Sequence, residues 1–171
     1  MNDAEFRRAY LEHKDVLYRF VRRMTGSPSA SEDIVQDTFF ALWRSTSTYD
    51  AARGSLRSFL IGVARNLTLQ RLRRERPQEE IAEDAFVAAP VDLAGLERAE
   101  TVARAVAALP ELQREALILA EYEELSLEEI GRATGVEIAA VKSRLHRARE
   151  NLRRMLAPLL ESRGTVHGTN R

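Results

Sequence analysis

Apolar residues along this chain recur at spacings of three and four far more often than at two, so the pattern predicts helices and little strand. In residues 3–24, Phe6, Tyr10, Leu17, Phe20 and Val21 fall near one helical face. "TGSPSASED" breaks that run with Gly26 and Pro28. Ser29 and Glu32 have the spacing of a capping box, which predicts the start of a second helix. Within it Ile34, Val35, Thr38, Ala41 and Leu42 turn inward, while Glu32, Asp33, Gln36, Asp37 and Phe40 turn outward. "STSTYDAARGS" reads as a loop of turn residues. A third helix is expected from Leu56 to Arg74, with Leu56, Phe59, Leu60, Val63 and Leu67 toward the core and Pro77 closing it.

The periodicity then fails. "PQEEIAEDAFVAAPVDLAG" holds two prolines and five acids and is expected to be a flexible linker over residues 77–95. Beyond it "LERAETVARAVAAL" is helical up to Pro110, and "ELQREALILAEYEE" forms another helix. Ser126 and Glu129 repeat the capping-box spacing ahead of Leu127, Ile130 and Ala133. Gly135 suits the left-handed turn that ends a helix, and Val136 is expected to plug the core. Ile138, Val141, Leu145, Ala148, Leu152 and Met155 then mark the apolar stripe of a longer helix, and Gly131 is expected to let the two helices cross closely. A short helix, a glycine turn and a longer helix make a helix-turn-helix. The expected fold is therefore all-α. It comprises a helical unit at 1–76, the linker, a helix-turn-helix unit at 96–160 and a tail at 161–171.

Charge sharpens this picture. The 171 residues carry 26 basic and 26 acidic side chains, yet the distribution is segmented. Residues 57–76 hold six Arg against one acid, and residues 138–156 hold six basic residues against one acid. Residues 111–137 hold eight Glu against two Arg. Two basic stretches separated by acidic ones are the electrostatic footprint of a polyanion partner. On the longer helix of the helix-turn-helix, Lys142, Ser143, Arg144, His146 and Arg147 lie off the apolar stripe in the half that enters a DNA major groove in this motif. Lys and Arg there can donate to guanine O6 and N7. Arg149, Arg153 and Arg154 lie further along and suit phosphates.

Composition excludes several classes. Cysteine is absent, which removes disulfides, thiolate-bound zinc and thiol catalysis and suits the cytoplasm. No apolar run approaches a membrane span, and the charged N-terminus has no export signal. The three histidines stand apart at 13, 146 and 167, and no phosphate loop or hydrolase motif occurs, so neither metal, cofactor nor enzymatic activity is expected.

"LPELQREALILAEYEELSLEEIGRATGV" followed by "VKSRLHRAR" resembles the promoter-reading C-terminal domain of bacterial sigma factors of the extracytoplasmic-function (ECF) group. "SASEDIVQDTFFALWR" followed by "LRSFLIGVARNLTLQRLRRER" resembles that family's other retained domain, in the expected order. The resemblance implies a non-catalytic transcription initiation factor that binds core RNA polymerase, reads the −35 and −10 promoter elements and helps open the latter. Asp33, Gln36, Asp37 and Phe40 would dock on the clamp coiled coil of the largest polymerase subunit. Asn66 would read a flipped −10 base, with Val63 and Tyr49 as walls of its pocket and Ser45 at the start of the loop. Arg65, Arg71, Arg73 and Arg74 would hold phosphates there. Lys142, Ser143, Arg144, His146, Arg147 and Arg149 would meet the −35 element. The resemblance further implies an anti-sigma partner, no membrane insertion and a monomer when free. The competing reading is a helix-turn-helix regulator with a helical N-terminal sensor domain. The combination of "EDIVQD" with "ARN" and "RLRR" stands against it, since a sensor needs none of these.

Overall fold

The computed structural model describes residues 1–44, 49–76 and 91–161. Ser45, residues 77–90 of the expected linker, and the tail from 162 onward lie outside the described residues. Seven α-helices account for the described chain: α1 (Asp3–Thr25), α2 (Pro28–Arg44), α3 (Leu56–Glu75), α4 (Arg98–Ala107), α5 (Glu111–Leu117), α6 (Leu127–Thr134) and α7 (Ile138–Glu161). A short 3-10 turn at Ala51–Arg53 precedes α3, and α5 continues as a π-helical turn over Ile118–Tyr122. Among the described residues there is no strand, in agreement with the all-α expectation.

Local chemistry sets the helix ends. Asn2 caps α1 in a reciprocal box with Glu5, and Gly26 ends it in the left-handed conformation at φ 71°. The expected Ser29–Glu32 box does not start α2. The helix begins earlier, at Pro28, whose missing N–H is no loss in the first position, and the Ser27 hydroxyl accepts from the Ala30 N–H at 3.2 Å. Ser55 caps α3 by accepting from the Ser58 N–H at 3.1 Å. Hydroxyl side chains buried inside helices donate to the carbonyl four residues back. Ser31, Thr38, Thr68 and Thr134 each do so at 2.7 Å, so their burial leaves no donor unpaired.

α1, α2 and α3 pack as one unit around Leu17, Phe20, Met24, Leu60 and Ile61, all at or below 1% exposure. The buried stripe of α3 differs from the sequence expectation. Leu60, Ile61, Ala64, Thr68 and Leu69 are buried, while Phe59, Val63 and Leu67 are half-buried at its flank. In the second unit α5 and its π turn form the central element, with Ala116, Leu117, Ile118 and Leu119 buried in one cluster with Val141, Leu145 and Ala148 of α7. A buried amide pair crosses the same interface, Asn151 Nδ2 donating to Gln113 Oε1 at 2.6 Å.

The two units, joined by the expected linker, pack directly against one another. α6 lies across α3, close enough that a Cβ built on Gly62 would sit 3.3 Å from the Ala133 carbonyl oxygen. Arg114 Nη1 donates to the Met24 carbonyl at 2.6 Å. Arg57 Nη2 donates to the Glu123 carbonyl at 2.7 Å. The apolar core is continuous from one unit to the other. The physical reason is that α3 is apolar on more than one side. One side meets α1 and α2, and the side with Gly62 admits another helix backbone. The end of the expected linker is also ordered: Leu93 is buried, Gly95 takes φ 71°, and Arg104 Nη1 donates to the Asp92 carbonyl at 3.4 Å.

Candidate functional site

Three surfaces gather the residues singled out by the sequence. On α3, Phe59, Gly62, Val63 and Asn66 follow helical spacing and form one arc. Asn66 is exposed and Val63 half-buried, as a reading group beside an apolar wall requires. Tyr49 closes the upper end, its ring 5.5 Å from that of Phe59 and its hydroxyl donating to the Gly54 carbonyl at 3.3 Å. Phe59 is a member of this surface that the sequence reading did not assign to it. The spacing of Phe59 from Val63 and Asn66 was the available signal.

The basic residues of α3 divide. Arg65 donates through Nε and Nη2 to the buried Glu115 carboxylate of α5, and through Nη1 to Asn66 Oδ1 at 3.3 Å. It is therefore engaged across the junction rather than free for phosphate. Arg71 turns toward α2 and pairs with Asp33 at 3.5 Å and Glu75 at 3.1 Å. Arg73 and Arg74 are exposed in the last turn, where basic charge also complements the helix dipole.

On α2, Asp33, Gln36, Asp37 and Phe40 all face solvent, with Phe40 at 59% exposure. The structure adds Trp43 and Tyr10, exposed at 46% and 40%. Tyr10 was expected in the core. Instead its ring meets Phe39 edge-on at 4.9 Å, and Phe6 meets Trp43 at 5.0 Å, so these four rings and that of Phe40 line an open groove of 560 Å³ beside Gln36. Gln36, Phe40 and Trp43 share a face by their spacing of four and three, so Trp43 was legible. An aromatic groove on a helix that also exposes Asp33 and Asp37 suits a partner that is basic around an apolar anchor.

The third surface is the helix-turn-helix. Ser126 and Glu129 form the expected capping box, and Gly135 takes the left-handed φ of 72°. Gly131 serves the turn rather than a helix crossing, because a Cβ there would lie 2.9 Å from the Val136 carbonyl oxygen. Val136 is half-buried and packs against the core, as expected. On α7 Lys142, Ser143, His146 and Arg149 are exposed, and Arg147 is half-buried with Nε 3.5 Å from Ser143 Oγ. Arg149 is held by Glu121 at 2.6 Å, and His146 lies 3.6 Å from Glu150. Arg144 is a correction: at 5% exposure it faces inward, and its charge acts on the Glu115 carboxyl. Ile138 is corrected in the opposite sense. It is 37% exposed, beside exposed Ala139, so the first turn of α7 presents an apolar edge.

Burial pushes the Glu115 carboxyl up, and its hydrogen bonds from Arg65 and the charges of Arg65 and Arg144 draw it back. Burial also raises Glu111, opposed by Arg114 and by Arg73 of α3. Among the described residues no group of three potential ligands could hold a metal ion, and no helix is long and apolar enough to cross a membrane.

A three-helix unit with an acidic-aromatic face, followed by a helix-turn-helix with a basic second helix, defines a promoter-reading protein of the sigma-70 class. Residues 9–78 match the family of sigma-70 region 2, and residues 99–152 match that of sigma-70 region 4. The chain is 32% identical over 164 residues to the ECF RNA polymerase sigma factor SigW of Bacillus subtilis, covering 86% of each. Its fold is similar to that of the sigma factor RpoE solved with the anti-sigma factor NepR from Bartonella quintana. There the TM-score is 0.71 at 26% identity, covering 90% of this chain and 97% of the other. It is also similar to CnrH solved with the cytosolic domain of CnrY, with a TM-score of 0.68 at 25% identity over 94% and 90% of the two chains. The chain belongs to the ECF group of the sigma-70 family.

Proposed function

We infer that this protein is a dissociable, non-catalytic initiation subunit of RNA polymerase that acts in the cytoplasm. It docks the core enzyme through α2, places α7 on the −35 element and opens the −10 element on α3. The observation that supports this most is the presence in one chain of two unlike exposed surfaces. One is the acidic-aromatic face of Asp33, Asp37, Phe40 and Trp43; the other is the basic face of Lys142, His146 and Arg149. A DNA-binding regulator needs only the second. Residues 1–76 then serve as the docking and −10 unit, 96–160 as the −35 unit, and 77–95 as the tether between them. Asn66 reads the flipped base against Val63 and Tyr49, with Arg73 and Arg74 on the flanking phosphates. The relative RpoE was solved with the anti-sigma factor NepR, and an anti-sigma protein is the proposed regulator here too.

Run-off transcription with core polymerase on fragmented genomic DNA tests the reading. Discrete transcripts that depend on the added chain support it, and none at saturating protein sinks it. Asp37→Arg reverses charge on the docking face. Its affinity for core enzyme is expected to fall about tenfold or more, because like charges set against each other at an interface cost several kcal/mol. Unchanged affinity in the folded variant would return α2 to an ordinary solvated face.

A further inference from the structure

The start of α7 has no hydrogen-bond donor in its side chains. It reads Glu137, Ile138, Ala139 and Ala140. The helix begins at Ile138, and the Glu137 carbonyl accepts from the Ala140 and Val141 N–H groups at 3.0 and 3.2 Å. Glu137, Ile138 and Ala139 are all exposed, and Ala140 is half-buried. By helical spacing Ile138 stands one turn before Lys142. Ala139 stands one turn before Ser143 and two before His146, and all of these are exposed. The apolar pair thus continues the polar face of α7 at the end that enters a major groove in this motif.

Few features of a duplex suit such a tip. Guanine O6 and N7 and adenine N7 are acceptors, and no side chain of this turn can donate to them. A backbone phosphate calls for a cation or a donor, and the exposed Glu137 carboxylate repels it. The apolar feature of the major groove is the C5 methyl of thymine, which aliphatic side chains contact directly. Ile138 precedes His146 by about 12 Å along the helix axis, so the two meet different base pairs.

We propose that Ile138, with Ala139 beside it, reads the methyl group of one thymine of the −35 element, at a base pair apart from the one His146 meets. This rests on the sigma-factor reading for the identity of the element and deepens it by naming a base and the side chain that selects it. Glu137 keeps phosphate away from the tip, and Lys142 supplies the nearest donor on the same row.

Binding-site selection from random duplexes, run with holoenzyme and with the chain alone, gives the element. Each thymine of it, on either strand, is then replaced singly by deoxyuridine, which lacks the methyl and keeps every hydrogen-bonding group. In the parent chain one replacement is expected to weaken binding about fourfold, the effect of returning one methyl group to water. In Ile138→Ser that penalty is expected to vanish. Val102→Ser alters an equally exposed aliphatic residue on α4 and is expected to keep it. Should Ile138→Ser melt early, Ile138→Ala restores helix propensity while shortening the side chain, and is expected to reduce the penalty less far. An element without thymine, no penalty at any thymine in the parent, or the same penalty in the parent and in the folded Ile138 variants overturns the proposal. Run-off transcription judges the sigma-factor reading separately. A parent chain that yields no transcripts yet selects a duplex by itself is a regulator of another kind, and the uracil scan of that duplex still decides whether Ile138 reads a methyl group.

Discussion

Gly62 of α3 and Ala133 of α6 meet backbone to backbone, with only 3.3 Å between the Ala133 carbonyl oxygen and the place a Cβ would take on Gly62. Any side chain at 62 pushes on a helix, not on a flexible side-chain tip. Gly62→Leu is expected to wedge α6 off α3 while leaving the α1–α3 core intact. In α3 itself the change gains roughly 0.5–1 kcal/mol of helix propensity. Small-angle scattering should show a larger radius of gyration with no loss in the melting of the first unit. An unchanged radius would mean that α6 accommodates the side chain by sliding.

Gly131 gives a contrasting case. Alanine there also gains roughly 0.5–1 kcal/mol of helix propensity, but its Cβ would lie 2.9 Å from the Val136 carbonyl oxygen, which belongs to the turn itself. Overpacking of this kind costs about 1–3 kcal/mol, so the clash is expected to win. Denaturant unfolding should place Gly131→Ala below the parent chain. Equal or greater stability would show that the turn relaxes freely.

His13 makes stability depend on pH. It is 9% exposed, and burial lowers its pKa from 6.5, with Arg57 adding to the shift and Glu12 opposing it. The folded chain therefore binds this proton less readily than the unfolded chain does. Its contribution is fully present above 6.5 and is lost as pH falls through the lowered folded value. Thermal midpoints at about pH 7.5 and about pH 5.5 should differ more in the parent chain than in His13→Leu. Equal differences would assign the acid sensitivity to other groups.

The exposed basic residues of α7 are expected to act differently by position. Arg147 lies beside Ser143 in the half of α7 proposed to meet base edges, and Arg153 is exposed two turns further on. In holoenzyme, Arg147→Ala should flatten preference at one −35 position by about 1–3 kcal/mol. Arg153→Ala should weaken all promoters alike and reduce the salt slope by about one. Titration of both against a promoter library at two salt concentrations checks this. An Arg147→Ala variant with full affinity and preference would refute the register.

Most of the helices were legible in the chain because their causes are local. Capping hydroxyls, a proline at a first turn, glycines at φ near 70° and apolar spacing act within a few residues. Asp33, Gln36, Asp37 and Phe40 were read correctly as an outward face because α2 has one covered side. α3 was harder: it is apolar on more than one side, and spacing cannot say how many neighbours a helix will have. Tyr10 and Ile138 fit apolar stripes by spacing, yet each falls at the edge of its stripe, where an adjacent element must arrive to bury it, and none of the described residues covers it fully.

What the sequence determined by itself was the set of seven helices, their order, the helix-turn-helix and the segmentation of charge. These follow from short-range hydrogen bonding and steric preference. Only the tertiary structure decided where the charges end up. Arg144 belongs to the basic stretch by sequence but turns inward toward Glu115. Arg65 reads as a phosphate contact but donates to Glu115, 50 residues away. Glu123 sits in an acidic run that looks solvated, yet three arginines enclose it. Charge pairs over distance in space, and that distance is set by how whole helices stack, which no local pattern encodes.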